Sequence, residues 1–186
     1  MKYPAVFLTT FLYSVTIFLF TSCEKISPRP EKKSNASYHL NGLDEALWKG
    51  ASAVKRDYVK DTFNLNIQAS EDGFVKRSMS LDHLLIKEGI QELKSIEKLG
   101  VINDDSPSAS VRTISDDGHD FLILDWYYLD TSAVDNWVNI IQYNEETQFI
   151  QGTFQFTAIR DTVFVGGNDL PDTIQVREGY FEATFE

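Results

Sequence analysis

Apolar side chains in this chain return at every second position. Phe63, Leu65, Ile67 and Ala69 alternate with Asn64, Asn66 and Gln68, and Phe154, Phe156 and Ala158 alternate with Thr153, Gln155 and Thr157. A period of two places successive residues on opposite faces of an extended chain, so both segments read as strands with one buried and one wet side. Residues 121 to 128 and 137 to 143 are rich in aromatic and branched side chains on both faces, as expected of strands in a sheet interior. Glu71-Asp72-Gly73 supplies a turn into a further strand over 74 to 81, and Asn144-Glu145-Glu146 folds 137 to 143 back onto 148 to 158 as a hairpin. The expected fold class is all-β, an antiparallel β-sandwich, with a small calycin-like β-barrel as the alternative closure.

The parity of the alternation changes once. Ile174 and Val176 occupy even positions, whereas Phe181, Ala183 and Phe185 occupy odd ones. One extra residue between the two sets keeps both on the core face, which predicts a β-bulge near Gly179. Two other segments depart from period two. Ile90, Leu93, Ile96 and Leu99 recur at threes among Lys and Glu, which reads as a short helix over 89–99 ended by Gly100, with a surface strand as the rival. Asp44 to Leu47 reads as a single helical turn before Trp48.

The amino-terminal fifth of the sequence, residues 1 to 37, is of another kind. Lys2 precedes an uncharged apolar stretch from Val6 to Phe20, and the small polar residues Thr21 and Ser22 lead to Cys23, the one cysteine of the chain. A basic start, an apolar middle and a small-residue end describe a signal peptide over 1–22. The stretch is also short of the roughly 20 apolar residues that a membrane-spanning helix needs. A lone cysteine forms no intramolecular disulfide and no cysteine cluster for zinc, so its chemistry is that of a single thiol. Residues 24 to 37 hold two prolines, no aromatic residue and four basic side chains, Lys25, Arg29, Lys32 and Lys33. Such a segment buries too little to fold, so residues 23–37 read as a disordered tether and 38–186 as a single β domain.

Phe20-Thr21-Ser22-Cys23 resembles a bacterial lipobox. With the polar tether, Asn41-Gly42 followed by Trp48, the string Gly152-Thr153-Phe154-Gln155-Phe156-Thr157-Ala158, and Glu178-Gly179-Tyr180-Phe181, the chain resembles small β-rich lipoproteins of unknown function common in Bacteroidota. That resemblance implies lipid attachment at Cys23 with cleavage before it, a membrane partner reached through the lipid, and an address in the cell envelope at the outer membrane, facing the periplasm or the surface.

Few residues point to chemistry. The chain has no GxSxG elbow, no phosphate-cradling glycine loop and no HExxH pair, and His39, His83 and His119 are far apart. Asp116, Asp117 and Asp120 form the densest acidic cluster and are the candidate ligands for a calcium ion, against the simpler reading of a solvated turn. Trp126, Tyr127, Tyr128 and Trp137 are the candidate ligand-binding residues, although neighbours in a strand face opposite ways and some must be core. The formal net charge is -11, which repels nucleic acid. It is also uneven: residues 38 to 100 carry 10 acids and 9 bases, residues 101 to 186 carry 16 acids and 3 bases. The expected function is therefore a non-enzymatic, lipid-anchored binding or structural module, with a glycan, a peptide or a cationic partner as its ligand. A calycin-like carrier of a small ligand is the second expectation, and a glycan-processing hydrolase the third.

Overall fold

The computed structural model describes residues 34–41, 47–58, 61–95, 97–98, 101–102, 105–116, 118–163 and 170–185. They form twelve strands: β1 (Ser34–Asn41), β2 (Leu47–Arg56), β3 (Thr62–Glu71), β4 (Phe74–Leu85), β5 (Gly89–Glu92), β6 (Glu97–Lys98), β7 (Val101–Ile102), β8 (Ser108–Asp116), β9 (Phe121–Leu129), β10 (Trp137–Asn144), β11 (Phe149–Arg160) and β12 (Thr173–Thr184). The fold is all-β and its strand pairs are antiparallel.

Ten strands make one sheet in the order β12-β1-β2-β3-β4-β8-β9-β11-β10-β5, and β11 also pairs with β12. That last pairing closes a ring of eight strands, so the hydrogen bonding is that of the barrel rather than of two separate sheets. Closure is made by β11, which carries β12 along one edge from Phe149 to Ile159. Its other edge is shared, with β10 on Phe149 to Gln155 and β9 on Ala158 to Arg160. β10 therefore extends outside the ring, with the four residues of β5 added to it.

The alternation seen in the sequence sorts residues between the inside and the outside of this ring. Tyr38, Leu40, Phe63, Leu65, Ile67, Met79, Leu81, Tyr127, Phe154 and Phe181 are fully buried and belong to one continuous cluster. Large side chains from strands all round the ring thus meet in the middle, and burying each contributes about 1.5–3 kcal/mol. The barrel interior is a packed core.

The tightest part of that core is built from two copies of the tripeptide Gly-x-Phe. Gly152 of β11 stands opposite Phe181 of β12, and Phe154 stands opposite Gly179. A Cβ on Gly179 would meet the Phe154 ring at 2.4 Å, and one on Gly152 would meet the Phe181 ring at 2.7 Å. Each phenylalanine thus lies across the glycine facing it, with ring centroids 6.4 Å apart. The predicted bulge is present beside this pair: β11 advances two residues from Phe154 to Phe156 while β12 advances three, from Gly179 to Val176. The left-handed residue in it is Glu178, at φ 52°. Gly179 is needed for space, and Glu178 takes the turn.

Three sequence expectations change. Gly89–Glu92 is a strand on β10 and no helix occurs among the described residues of 89–99, because Gln91 and its neighbours satisfy the backbone of adjoining chain instead. Gln91 accepts from Leu85 N at 2.7 Å and donates to Leu85 O at 2.8 Å, standing in for a strand partner. Leu47 begins β2 rather than closing a helical turn, and Asp44 to Ala46 lie outside the described residues. Ser34 to Ser37, read as the end of the tether, are in β1, paired with Ala183 to Tyr180 on one side. Ser52 secures this segment by donating to Glu182 O at 2.6 Å, so the folded domain starts at least four residues before Tyr38. The signal peptide, Cys23 and the rest of the tether lie outside the described residues.

Candidate functional site

The barrel has two ends and an outer wall, and each presents different chemistry. At the end where β11 finishes, Arg160 points a guanidinium at Asp125, a carboxylate with no exposed surface. Arg160 Nε donates to Asp125 Oδ1 at 2.9 Å, its Nη2 makes a second bond to the same oxygen, and Nη1 donates to Leu170 O at 3.2 Å. Thr113 donates to the other carboxylate oxygen at 3.0 Å. Tyr127 reaches the same region from inside the barrel and donates to Pro171 O at 3.0 Å. Burial, and then the charge of Asp125, push its hydroxyl up to about 12. Arg77, paired in the ladders with Ala69 and Thr113, lies 3.7 Å over the Trp48 ring. The Asp125 and Arg160 contacts are made within the fold, which suits a closure better than a receptor.

At the opposite end Phe185 enters the barrel edge-on between Phe63 and Tyr143, at 5.6 and 6.1 Å, and Arg56 covers its ring at 5.1 Å. Beside it His83 Nδ1 contacts Asp57 Oδ2, both side chains being buried. His83 sits at a bulge of β4 in a left-handed conformation, φ 57°, held by its N–H on Asn64 Oδ1 at 2.9 Å.

The outer wall over β10, β11, β12 and β1 is assembled from residues that alternate with the core. Trp137 stands beside Gln155, Asn139 beside Thr153, and Thr153 in turn beside Tyr180 and then Ser37. All are half-buried. The bulge at Arg177–Glu178 divides this wall, because a bulge bends the strand and increases its twist. On one side lies a shallow depression of about 250 Å³, where Asp135, Gln155, Thr157, Gln175 and Arg177 reach solvent while Phe156 and Val176 turn inward beneath. On the other lies a second, of about 400 Å³, with Asn35, Ser37, Lys49, Tyr180 and Glu182. Charges on this wall are held locally: His39 Nε2 lies 3.7 Å from Glu178, Arg177 donates to Gln175 at 2.6 Å, and Asn35 donates to Glu182 at 2.9 Å. Tyr180 donates to Glu182 at 3.2 Å, and burial followed by that carboxylate raises its pKa.

The four aromatic residues singled out from sequence do not share a face. Tyr127 is core, and Trp126 faces outward with Arg112 stacked at 4.2 Å on its ring, leaving it 8% exposed. Tyr128 is outward on the same strand, and Trp137 is on β10, part of the polar wall. Of the acidic cluster, Asp116 directs one oxygen to Val75 N at 3.0 Å and the other to Gly118 N at 2.9 Å, the bonds of a turn. Asp120 is exposed, Asp117 lies outside the described residues, and no group of three metal-ligating side chains occurs among those described. Tyr180 was the residue missed by sequence reading, although its parity, one off the core residues Gly179 and Phe181, already pointed it outward. No protein-family model, curated protein or solved structure matches this chain.

Proposed function

We propose that the chain is a lipid-anchored cell-envelope protein whose packed β-barrel is a non-catalytic binding module acting through its outer surface. The observation that supports it most is the filled interior: Tyr38, Phe63, Tyr127, Phe154, Phe156 and Phe181 occupy the space that a carried small molecule would take. Ligand-carrying barrels keep that space open. Asp125, a carboxylate with no exposed surface, is engaged by Arg160 and Thr113, and so is poorly placed to transfer a proton. Anchoring at Cys23 of the motif Phe20-Thr21-Ser22-Cys23 completes the reading, since a lipid group holds a domain at a membrane without spanning it.

Two measurements test it. Whole chain produced in a lipoprotein-processing bacterium is expected in the membrane fraction, and the Cys23→Ser variant in the soluble fraction; retention of the variant on membranes removes the anchor. A fluorescent fatty-acid probe is expected to stay unbound by the whole chain. Its stoichiometric uptake with an apolar emission shift overturns the packed-module reading in favour of a carrier.

A further inference from the structure

β9 has a strand on each side over its second half and on one side only over its first. Tyr127 and Tyr128 lie between β8 and β11, and Asp161 N makes the last backbone bond on the β11 side, to Trp126 O at 2.7 Å. There β11 turns away, because Asp161 Oδ1 accepts the N–H of Val163 at 2.9 Å, the bond of an Asx turn. Phe121, Leu122 and Ile123 are paired with β8 alone among the described residues, and Leu124 sits at the bulge of that ladder. One backbone edge of residues 121–124 is therefore without a strand.

The side chains on this edge are those of an interior strand. Edge strands are ordinarily kept short or carry charge or proline, which stops other chains from pairing with them. β5, at the end of the sheet order, is of that kind: four residues, with Ile90 as its only large apolar side chain, Gln91 tied to Leu85 and Glu92 exposed. Phe121-Leu122-Ile123-Leu124 holds no charge and no proline. Neighbours in a strand face opposite ways, so both of its faces are apolar, and Phe121 and Leu122 are 59% and 60% exposed. The hairpin that presents them is held in place. Asp116 bonds Val75 N and Gly118 N, and a Cβ on Gly118 would meet the Phe74 ring at 3.1 Å, so the turn is seated on the start of β4. A partner meets an edge that is already extended, and little ordering opposes binding.

A row of unpaired strand N–H and C=O groups is matched by another extended backbone. Apolar side chains on both faces call for apolar residues at successive positions of the incoming strand. Asp116 and Asp120 stand beside Phe121, and residues 101 to 186 carry 16 acids against 3 bases, which favours a basic residue at the end of that strand. A second copy of this chain would bring the same acids with it. Four residues a side are also far fewer than the roughly 20–30 of a stable dimer.

We infer that the free edge of β9 at residues 121–124 takes an extended apolar segment of another protein as an added strand, with a basic residue of that segment beside Asp116 and Asp120. The inference rests on the binding-module reading and names the partner class for it. Fluorescence anisotropy of the whole chain with three labelled peptides tests it. The first has a core of Val, Ile and Phe flanked by lysines, the second has the same core flanked by glutamates, and the third is the first with proline at every second core position, which cannot pair as a strand. The first is expected to bind, and the other two at least about tenfold more weakly. Phe121→Thr combined with Leu122→Thr is expected to weaken the first by about tenfold, and Ile90→Thr on β5 to leave it unchanged. Amide hydrogen exchange is expected to slow over 121–124 in the complex and not over 89–92. Melting temperatures accompany the variants, and if the double variant fails to fold, the proline peptide and the exchange pattern decide. Equal binding of the proline peptide, or protection confined to another part of the chain, overturns the inference and leaves the binding module standing. So does a dimer in sedimentation that Phe121→Thr with Leu122→Thr disperses, which makes a second copy the occupant. Binding of none of the three peptides also overturns it, while fatty-acid uptake, measured separately, is what removes the packed module beneath it.

Discussion

Where β11 ends, the barrel is closed by an ion pair, Asp125 with Arg160, tied into Thr113 and the carbonyl of Leu170. Where β12 ends, it is closed by a phenyl ring, Phe185, between Phe63 and Tyr143. Both seal the same core, but they depend on partners differently. A buried ring loses contacts in proportion to what is cut away, whereas a buried charge stripped of its partner is left in a medium that cannot solvate it. The ion-pair end should therefore tolerate single changes less, and matched double changes better, than the aromatic end.

The largest expected effect is Asp125→Ala, which strands the nearly buried Arg160 guanidinium and lowers unfolding free energy by about 3–5 kcal/mol. Denaturant titration measures it, and the Asp125→Leu, Arg160→Met pair is expected to regain most of the loss. If the double variant is as unstable as the single, the ion pair contributes directional bonding that an apolar pair does not replace, and the contrast between the ends narrows. Phe185→Ala follows, with about 3 kcal/mol lost by truncating a ring 8% exposed. Here no second substitution is expected to restore stability except another large apolar side chain, Leu or Met.

Tyr127 gives the ion-pair end a dependence on alkaline pH. Its pKa in the folded state is about 12 against an ordinary value of 10.0, so folding favours the protonated hydroxyl. That stabilisation is fully present below pH 10 and is lost as pH rises from about 10 to 12. Melting temperature should fall more steeply across this window in the wild type than in Tyr127→Phe; parallel curves would detach Tyr127 from the linkage. The smallest effect belongs to the aromatic end. Arg56 is exposed where it covers Phe185, and Arg56→Ala is expected to cost about 0.5 kcal/mol. Arg56 Nη2 also donates to Tyr143 Oη and Gln148 Oε1, both at 2.9 Å, and a loss above about 2 kcal/mol would mean that these bonds close this end as much as Phe185 does.

Much of the strand layout was legible because alternation survives wherever one face is buried. β3, β9, β10, β11 and β12 fall close to the segments read from sequence, and the parity change after Val176 foretold the bulge. β1 was cut short because Ser34, Asn35, Ala36 and Ser37 are small or polar and look like linker, yet all four pair with β12, Ala36 and Ser37 pair with β2 as well, and Ala36 faces the core. In the segment 89–99 the spacing of three does not mark one buried face, because Ile90 is 75% exposed and Leu93 is buried; Ile96 and Leu99 lie outside the described residues. The aromatic run at 126–128 was ambiguous for a related reason: composition marks aromatic residues, but only the strand's orientation says that Tyr127 is inside the barrel and Trp126 beneath Arg112.

What the sequence alone determined is the period-two pattern, the turn at Asp72-Gly73, the bulge near Gly179 and the uneven charge. These are local properties, written in the order of residues along the chain. Closure of the sheet was decided only in three dimensions, because it depends on Phe149 to Ile159 meeting Thr173 to Thr184 while the opposite edge of β11 is divided between β9 and β10. The polar wall was decided in the same way. Trp137, Gln155, Tyr180 and Ser37 are spread over more than a hundred positions of the sequence, and the register of four strands brings them onto one surface.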